Sequence, residues 1–190
     1  LGALDRARHM DFLIRAFAHV KDKLPGARLY LVGASDDALD EQSLKDEVSK
    51  YNLEGSVIFT GFIPLSKAWT YVQDASVCVS PIYPTPMFNP ASPTKLVEYM
   101  AMGKAVVAND HPEQALVIAE SGGGLCVPYV EEEFGDAVIR ILRDPEMARE
   151  MGSKGRKYVE QHRSYRAIAA MLDEKYREQC NFKPRALTET

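Results

Sequence analysis

Ser92-Pro-Thr-Lys-Leu-Val-Glu-Tyr-Met-Ala-Met-Gly-Lys-Ala-Val-Val-Ala108 is the stretch from which the rest of the chain is best read. Serine suits a helix N-cap and proline the first helical position. The spacing therefore predicts a helix that opens at Ser92-Pro93, stops at Gly103 and hands over to an apolar strand at Lys104–Ala108. The first N–H groups of a helix lack partners within it, and the helix dipole favours negative charge there, so such an opening suits an anion. The first turn carries no Asp or Glu, and Lys95 stands where the dipole disfavours a cation. A bound anion relieves that conflict. Glu98 lies three residues past Lys95 and four past Thr94, so the three share a face. One helix start could thus hold a phosphate and, one turn deeper, a sugar hydroxyl.

Outward from this stretch, helical and strand patterns alternate. Toward the N-terminus the periodicity predicts helices at His9–Lys23, Asp40–Tyr51 and Leu65–Asp74, and strands at Arg28–Val32, Val57–Thr60 and Ser76–Ser80. Toward the C-terminus it predicts a helix at Glu113–Ala119, a strand at Leu125–Val127, and helices at Glu131–Leu142, Pro145–Met151, Gly152–Gln161 and Tyr165–Cys180. Residues Asn181–Thr190 read as a loosely held tail. Strands separated by helices of this length give an α/β fold, a Rossmann-like doubly wound parallel sheet with helices on both faces. Only Leu1–Leu4 precede the first helix, so the first strand is expected to be short or truncated. Ligands in such sheets bind beyond the carboxyl ends of the strands. Gly33, Gly61 and the loop from Pro81 to Pro93 all follow strand ends and share that rim with Ser92. The loop holds five of the chain's 11 prolines, which suits a stiff wall around a ligand.

The composition narrows the function. A net charge of −4 over 190 residues argues against a nucleic-acid partner. No apolar run approaches the ~20 residues that span a bilayer. The three cysteines are widely spaced, and two fall in strand-like runs, which suits core residues in a reducing, cytoplasmic compartment. The chain begins at Leu1 without a Met and reads as a piece of a longer protein. Asp36-Asp37 reads as a solvated loop and His111 as a turn residue. His9 and His19 read as helix residues without partners, and Phe12, Phe17 and Phe59 as core.

The run Pro93 to Val107 resembles the donor-binding helix of the family 4 (group 1) glycosyltransferases. Arg28-Leu-Tyr-Leu-Val-Gly33, Val57-Ile-Phe-Thr-Gly-Phe-Ile-Pro64 and Gly123-Gly-Leu-Cys-Val-Pro128 agree with that family in the same order. The resemblance covers roughly residues 1–165, with 166–190 as the last helix and tail of the same domain. It implies the C-terminal, donor-nucleotide half of a two-domain GT-B enzyme. Such an enzyme moves a sugar, with retention, from a UDP- or GDP-linked donor to an acceptor glycan, lipid or small molecule. The missing N-terminal half would bind the acceptor, and this half alone would be inactive. By the same resemblance Glu98 accepts from the ribose hydroxyls. Ser92, Thr94, Lys95 and the amides up to Leu96 hold the diphosphate. Phe62 and Ile63 face the base, Gly33 allows close approach, and Arg8, or Arg6, adds a positive charge. No cofactor or metal is implied, since helix amides and cations take that place. The Glu that many members carry eight positions before the ribose-binding one is Pro90 here, which leaves Asn89 and the loop amides to meet the sugar. A nucleotide-sugar epimerase of GT-B type, or a non-catalytic homologue, is the alternative. Relatives with lipid-linked acceptors suggest peripheral membrane contact for the whole enzyme, although the basic run from Lys154 to Arg166 reads first as a charged helix face.

Overall fold

The computed structural model describes residues 1–180. Its helices are α1 (Asp11–Lys23), α2 (Ala38–Lys50), α3 (Leu65–Asp74), α4 (Thr94–Ala101), α5 (Pro112–Ser121), α6 (Glu131–Arg143), α7 (Pro145–Tyr158) and α8 (Tyr165–Cys180). Its strands are β1 (Leu29–Leu31), β2 (Val57–Phe59), β3 (Cys78–Ser80), β4 (Val106–Asn109) and β5 (Gly124–Val127). All pairings between strands are parallel, as the alternation of helix and strand requires.

The single sheet expected from the sequence is realised as two, β1-β2 and β3-β4-β5. The N-terminal segment lies at their junction. Gly2 N–H donates to the Val32 carbonyl at 2.8 Å and Leu4 N–H to the Ala34 carbonyl at 3.0 Å, the two-residue step of a ladder along the end of β1. On its other side Leu1 packs into the apolar cluster of Cys78, Leu96 and Tyr99. Leu4 enters the cluster around Phe12 and Phe134. Residues 1–4 therefore do the work of the missing first strand.

The two clusters are covered mainly by different helices. Helices α1, α2 and α6 cover one and α3, α4 and α5 the other, while α7 reaches both. In α6 the residues Phe134, Ala137, Val138 and Ile141 recur at helical spacing and are all buried. Three Glu in its first turn and Arg140 and Arg143 in its last suit the helix dipole. Strand β4 is buried at all four positions, as a strand covered on both faces must be.

Helix α7 differs from expectation. Gly152 was expected to open a new helix, yet α7 runs unbroken through it. The glycine is there for contact: a Cβ on Gly152 would lie 2.0 Å from the Gly103 carbonyl oxygen. Gly155 likewise faces Gly123 and Met100. The two glycines let α7 lie against the turn after α4. One π-helical turn, Val159–Arg163, follows, and its Val159 is buried in the same cluster.

Candidate functional site

The rim at the strand ends begins with Gly33 and Gly61, which follow β1 and β2 and bridge to each other. Both have positive φ, 136° and 63°. A Cβ on Gly33 would lie 1.9 Å from the Gly2 carbonyl oxygen, so packing alone demands glycine there. The bare side of Gly33 is filled by Gly2. Next along the rim, Phe62 stands 89% exposed, which is unusual for so apolar a ring, and Ile63 is half-buried.

Helix α4 opens one residue later than the sequence suggests. Pro93 takes the N-cap position with ψ 95°, and no side chain caps the helix. The proline supplies a fixed φ, but its extended ψ delays the first helical residue to Thr94. Ser92 is therefore outside the helix and exposed, not its cap. Thr94 is exposed, Lys95 and Glu98 are half-buried, and Leu96, Tyr99 and Met100 anchor the helix in the core. With its side chain fully buried, Leu96 offers the rim only its amide.

The Lys95 amine lies against the backbone of Gly2, where an added Cβ would come 2.6 Å from Nζ. Burial first, and then the nearby Arg8 guanidinium, push the Lys95 pKa down; Glu98 and Asp5 pull it back up. Among the described residues Lys95 reaches no carboxylate at ion-pair distance, so the Lys95–Glu98 surface pair that their spacing permits does not form. Arg8 is exposed in a short 3-10 turn, Arg6–Arg8, with Asp5 3.6 Å away. Asp5, Arg8, Lys95 and Glu98 thus come together from the start of the chain and from α4. Asn89 is exposed in the proline-rich loop, where its backbone N–H donates to the Thr85 carbonyl at 3.2 Å.

Several partners were not legible as such. His9, expected as a helix residue, precedes α1 in a left-handed conformation (φ 49°) and stacks on Tyr83 of the loop at 3.8 Å. Tyr83 meets Tyr129 edge-on, and Tyr129 stacks on Phe12. His111 is not a free turn residue: it is 4% exposed, and its Nε2 lies 2.8 Å from the Phe88 carbonyl oxygen. Asp37 caps α2 by accepting from Leu39 N–H at 2.8 Å; the Asp-Asp pair followed by a helical pattern carries that signal. Beside the rim, between the start of the chain and α2, lies a cleft of about 300 Å³ lined by Leu4, Asp5, Arg6, His9, Asp40 and Glu47 among others. Its carboxylates make it unsuited to a phosphate.

The fold that carries these residues is shared with known proteins. The family model "Glycosyl transferases group 1" matches residues 1–158. The chain is 35% identical over 155 residues to alpha-1,3/1,6-mannosyltransferase ALG2 of Dictyostelium discoideum, covering 76% of this chain and 35% of that protein. Sucrose-phosphate synthase from Thermosynechococcus elongatus superposes with a TM-score of 0.78 at 29% identity, over 95% of this chain and 45% of that one. The C-terminal domain of the group 1 glycosyl transferase LpcC from Francisella tularensis superposes with a TM-score of 0.73 at 18% identity, over 87% of this chain and 84% of that one. The chain therefore spans less than half the length of the first two and most of the isolated C-terminal domain. With most of its length matched, from Leu1 to Tyr158, the chain belongs to the group 1 glycosyl transferases.

Proposed function

We propose that this chain is the donor-nucleotide domain of a retaining glycosyl transferase that moves a sugar from a UDP- or GDP-linked donor to an acceptor. One observation carries most of the weight: among the described residues Lys95 is a half-buried cation without an ion-pair partner, at the mouth of a helix whose first turn is free of acidic groups. A diphosphate seated there gains the amides of Thr94, Lys95 and Leu96 and the Lys95 ammonium. Arg8 adds a second positive charge from the facing segment. Preorganised charge of this kind acts on the negative charge that builds on the leaving diphosphate as the glycosidic bond breaks. One turn deeper, the Glu98 carboxylate accepts from the ribose hydroxyls and fixes the nucleotide. The exposed Phe62, with Ile63, lies flat to the base. Ser92, Asn89 and the loop before α4 face the sugar, with Pro90 leaving no carboxylate at its position.

The acceptor, a glycan, lipid or small molecule, is met by the remainder of the longer enzyme, and transfer needs both halves. No helix among the described residues is long and apolar enough to cross a membrane. If the acceptor is a lipid, the enzyme in the proposed reading meets it at a membrane surface.

Calorimetric titration of the intact protein with UDP, GDP and their glucose and mannose conjugates tests the proposal. The expected result is binding of one base in both free and sugar-linked form, weakened at least tenfold by Glu98→Ala. Absence of binding for all of them at millimolar concentration would overturn it.

A further inference from the structure

We infer that Asn109 and His111 are positioning residues that fasten the proline-rich loop, residues 81–93, in the shape that meets the donor. Asn109 is the last residue of β4 and His111 lies just beyond it; neither lies in the stretch around α4. Asn109 is 1% exposed, and its side-chain amide treats Ile82 as a strand neighbour would. Its Oδ1 accepts from Ile82 N–H at 2.7 Å, and its Nδ2 donates to the Ile82 carbonyl at 3.0 Å. Gln114, fully buried, holds the asparagine from behind. Its Nε2 donates to the Asn109 carbonyl at 3.3 Å, while its Oε1 accepts from Ser80 Oγ at 2.6 Å. His111 then takes the far side of the loop by donating Nε2–H to the Phe88 carbonyl.

The result is a loop pinned near its start at Ile82 and near its turn at Phe88, with Tyr83 held between by the His9 stack. Buried polar groups of this kind are costly unless paired, and four of them are spent on holding one loop. Among the described residues His111 Nδ1 is buried without a partner, so the imidazole's one hydrogen bond there runs through Nε2. The anchors of α4 are separate, since Leu96, Tyr99 and Met100 sit in the core whatever the loop does. Loosening the clamp therefore frees residues 83–91 and leaves the helix mouth in place. This role rests on the donor-binding function proposed above, in which the loop faces the sugar and the helix mouth faces the diphosphate.

The test uses the intact protein with His111→Ala, His111→Gln, His111→Asn and Asn109→Ala. A glutamine places an N–H close to where histidine Nε2 stands; an asparagine reaches only to the Nδ1 position. Backbone hydrogen exchange is read first, without ligand. His111→Ala and Asn109→Ala are expected to speed exchange at Phe88, Asn89 and Ala91 at least tenfold while β4 stays unchanged; Gln restores slow exchange at His111 and Asn does not. Calorimetry with UDP, GDP, UDP-glucose and GDP-mannose is read second. The bare nucleotides are expected to bind both alanine variants within twofold of the unaltered protein, and the matching nucleotide sugar to bind at least fivefold more weakly. Unchanged exchange in the loop, rescue by Asn rather than Gln, or equal loss of bare nucleotide and nucleotide sugar would overturn the role. Failure of the unaltered protein to bind any of the four would defeat the donor-binding function instead, and the exchange result alone would then decide the clamp.

Discussion

Two half-buried cations in this domain live in opposite circumstances. Arg15, where α1, α2 and α6 meet, is held by three carboxylates: Asp11 at 2.8 Å, Glu47 at 3.2 Å and Glu131. Burial opposes its charge, but the hydrogen bonds it donates to Glu131, Asp11 and Glu47 drive its pKa upward. Lys95, at the mouth of α4, has no carboxylate at ion-pair distance among the described residues, and burial, then the like charge of Arg8, push its pKa down. A cation ringed by carboxylates is complete and serves the fold. In the proposed reading, a cation kept near another cation at a helix start is completed by an anion. Arg15 is then a structural charge and Lys95 a binding charge.

The largest expected effect breaks the complete site. Arg15→Met leaves three carboxylates facing one another and should cost about 2 kcal/mol of stability, less than a fully buried pair because Asp11 and Glu131 are 40% and 43% exposed, read as a shift in the denaturant midpoint, with nucleotide affinity unchanged. A stable Arg15→Met protein would remove the contrast. The converse substitution, Lys95→Met, should weaken UDP or GDP at least tenfold, about 1.4 kcal/mol. It should leave stability equal or higher, because it removes a charge that burial opposes. Parallel loss of stability and binding would mark Lys95 as merely structural.

The same contrast has a pH sign. An amine whose pKa is lowered in the fold carries its charge at a cost at neutral pH, and a bound diphosphate offsets that cost. Nucleotide affinity should hold at neutral pH and fall as pH rises through the lowered Lys95 pKa, below the ordinary amine value of 10.5. Isothermal titrations across the alkaline range, repeated on Lys95→Met, check this; an identical alkaline fall in the variant would assign it to another group. The smallest effect concerns Phe62. Phe62→Ala should change stability by no more than ~0.5 kcal/mol, because the ring is 89% exposed. It should nonetheless weaken nucleotide binding several-fold by removing a stacking face, about 1 kcal/mol.

Much of this was legible in the sequence because the signals are local. The alternation of helix and strand gave the parallel arrangement, and the spacing of Thr94, Lys95 and Glu98 placed them on one helix. The failures share a cause, which is contact between residues far apart in the chain. Gly152 reads locally as a helix breaker, and only the approach of the Gly103 carbonyl reveals it as a packing position. Gly33 reads as a ligand-side turn, yet Gly2 occupies its bare face. His111 and Asn109 carry no periodicity that would announce bonds to Phe88 and Ile82. The incompleteness of Lys95 was likewise half visible. Its unfavourable place in the helix dipole can be read from sequence, but its proximity to Arg8 depends on where residues 1–8 return to the rim.

Amide chemical shifts of the intact protein, followed as UDP or GDP is added with uridine or guanosine as controls, address the central claim most directly. Large shifts at Thr94, Lys95 and Leu96 with the diphosphates, and none there with the nucleosides, are the predicted result. Shifts confined to the acidic cleft of Asp5, Asp40 and Glu47, or shifts at α4 that the nucleosides reproduce, would contradict it.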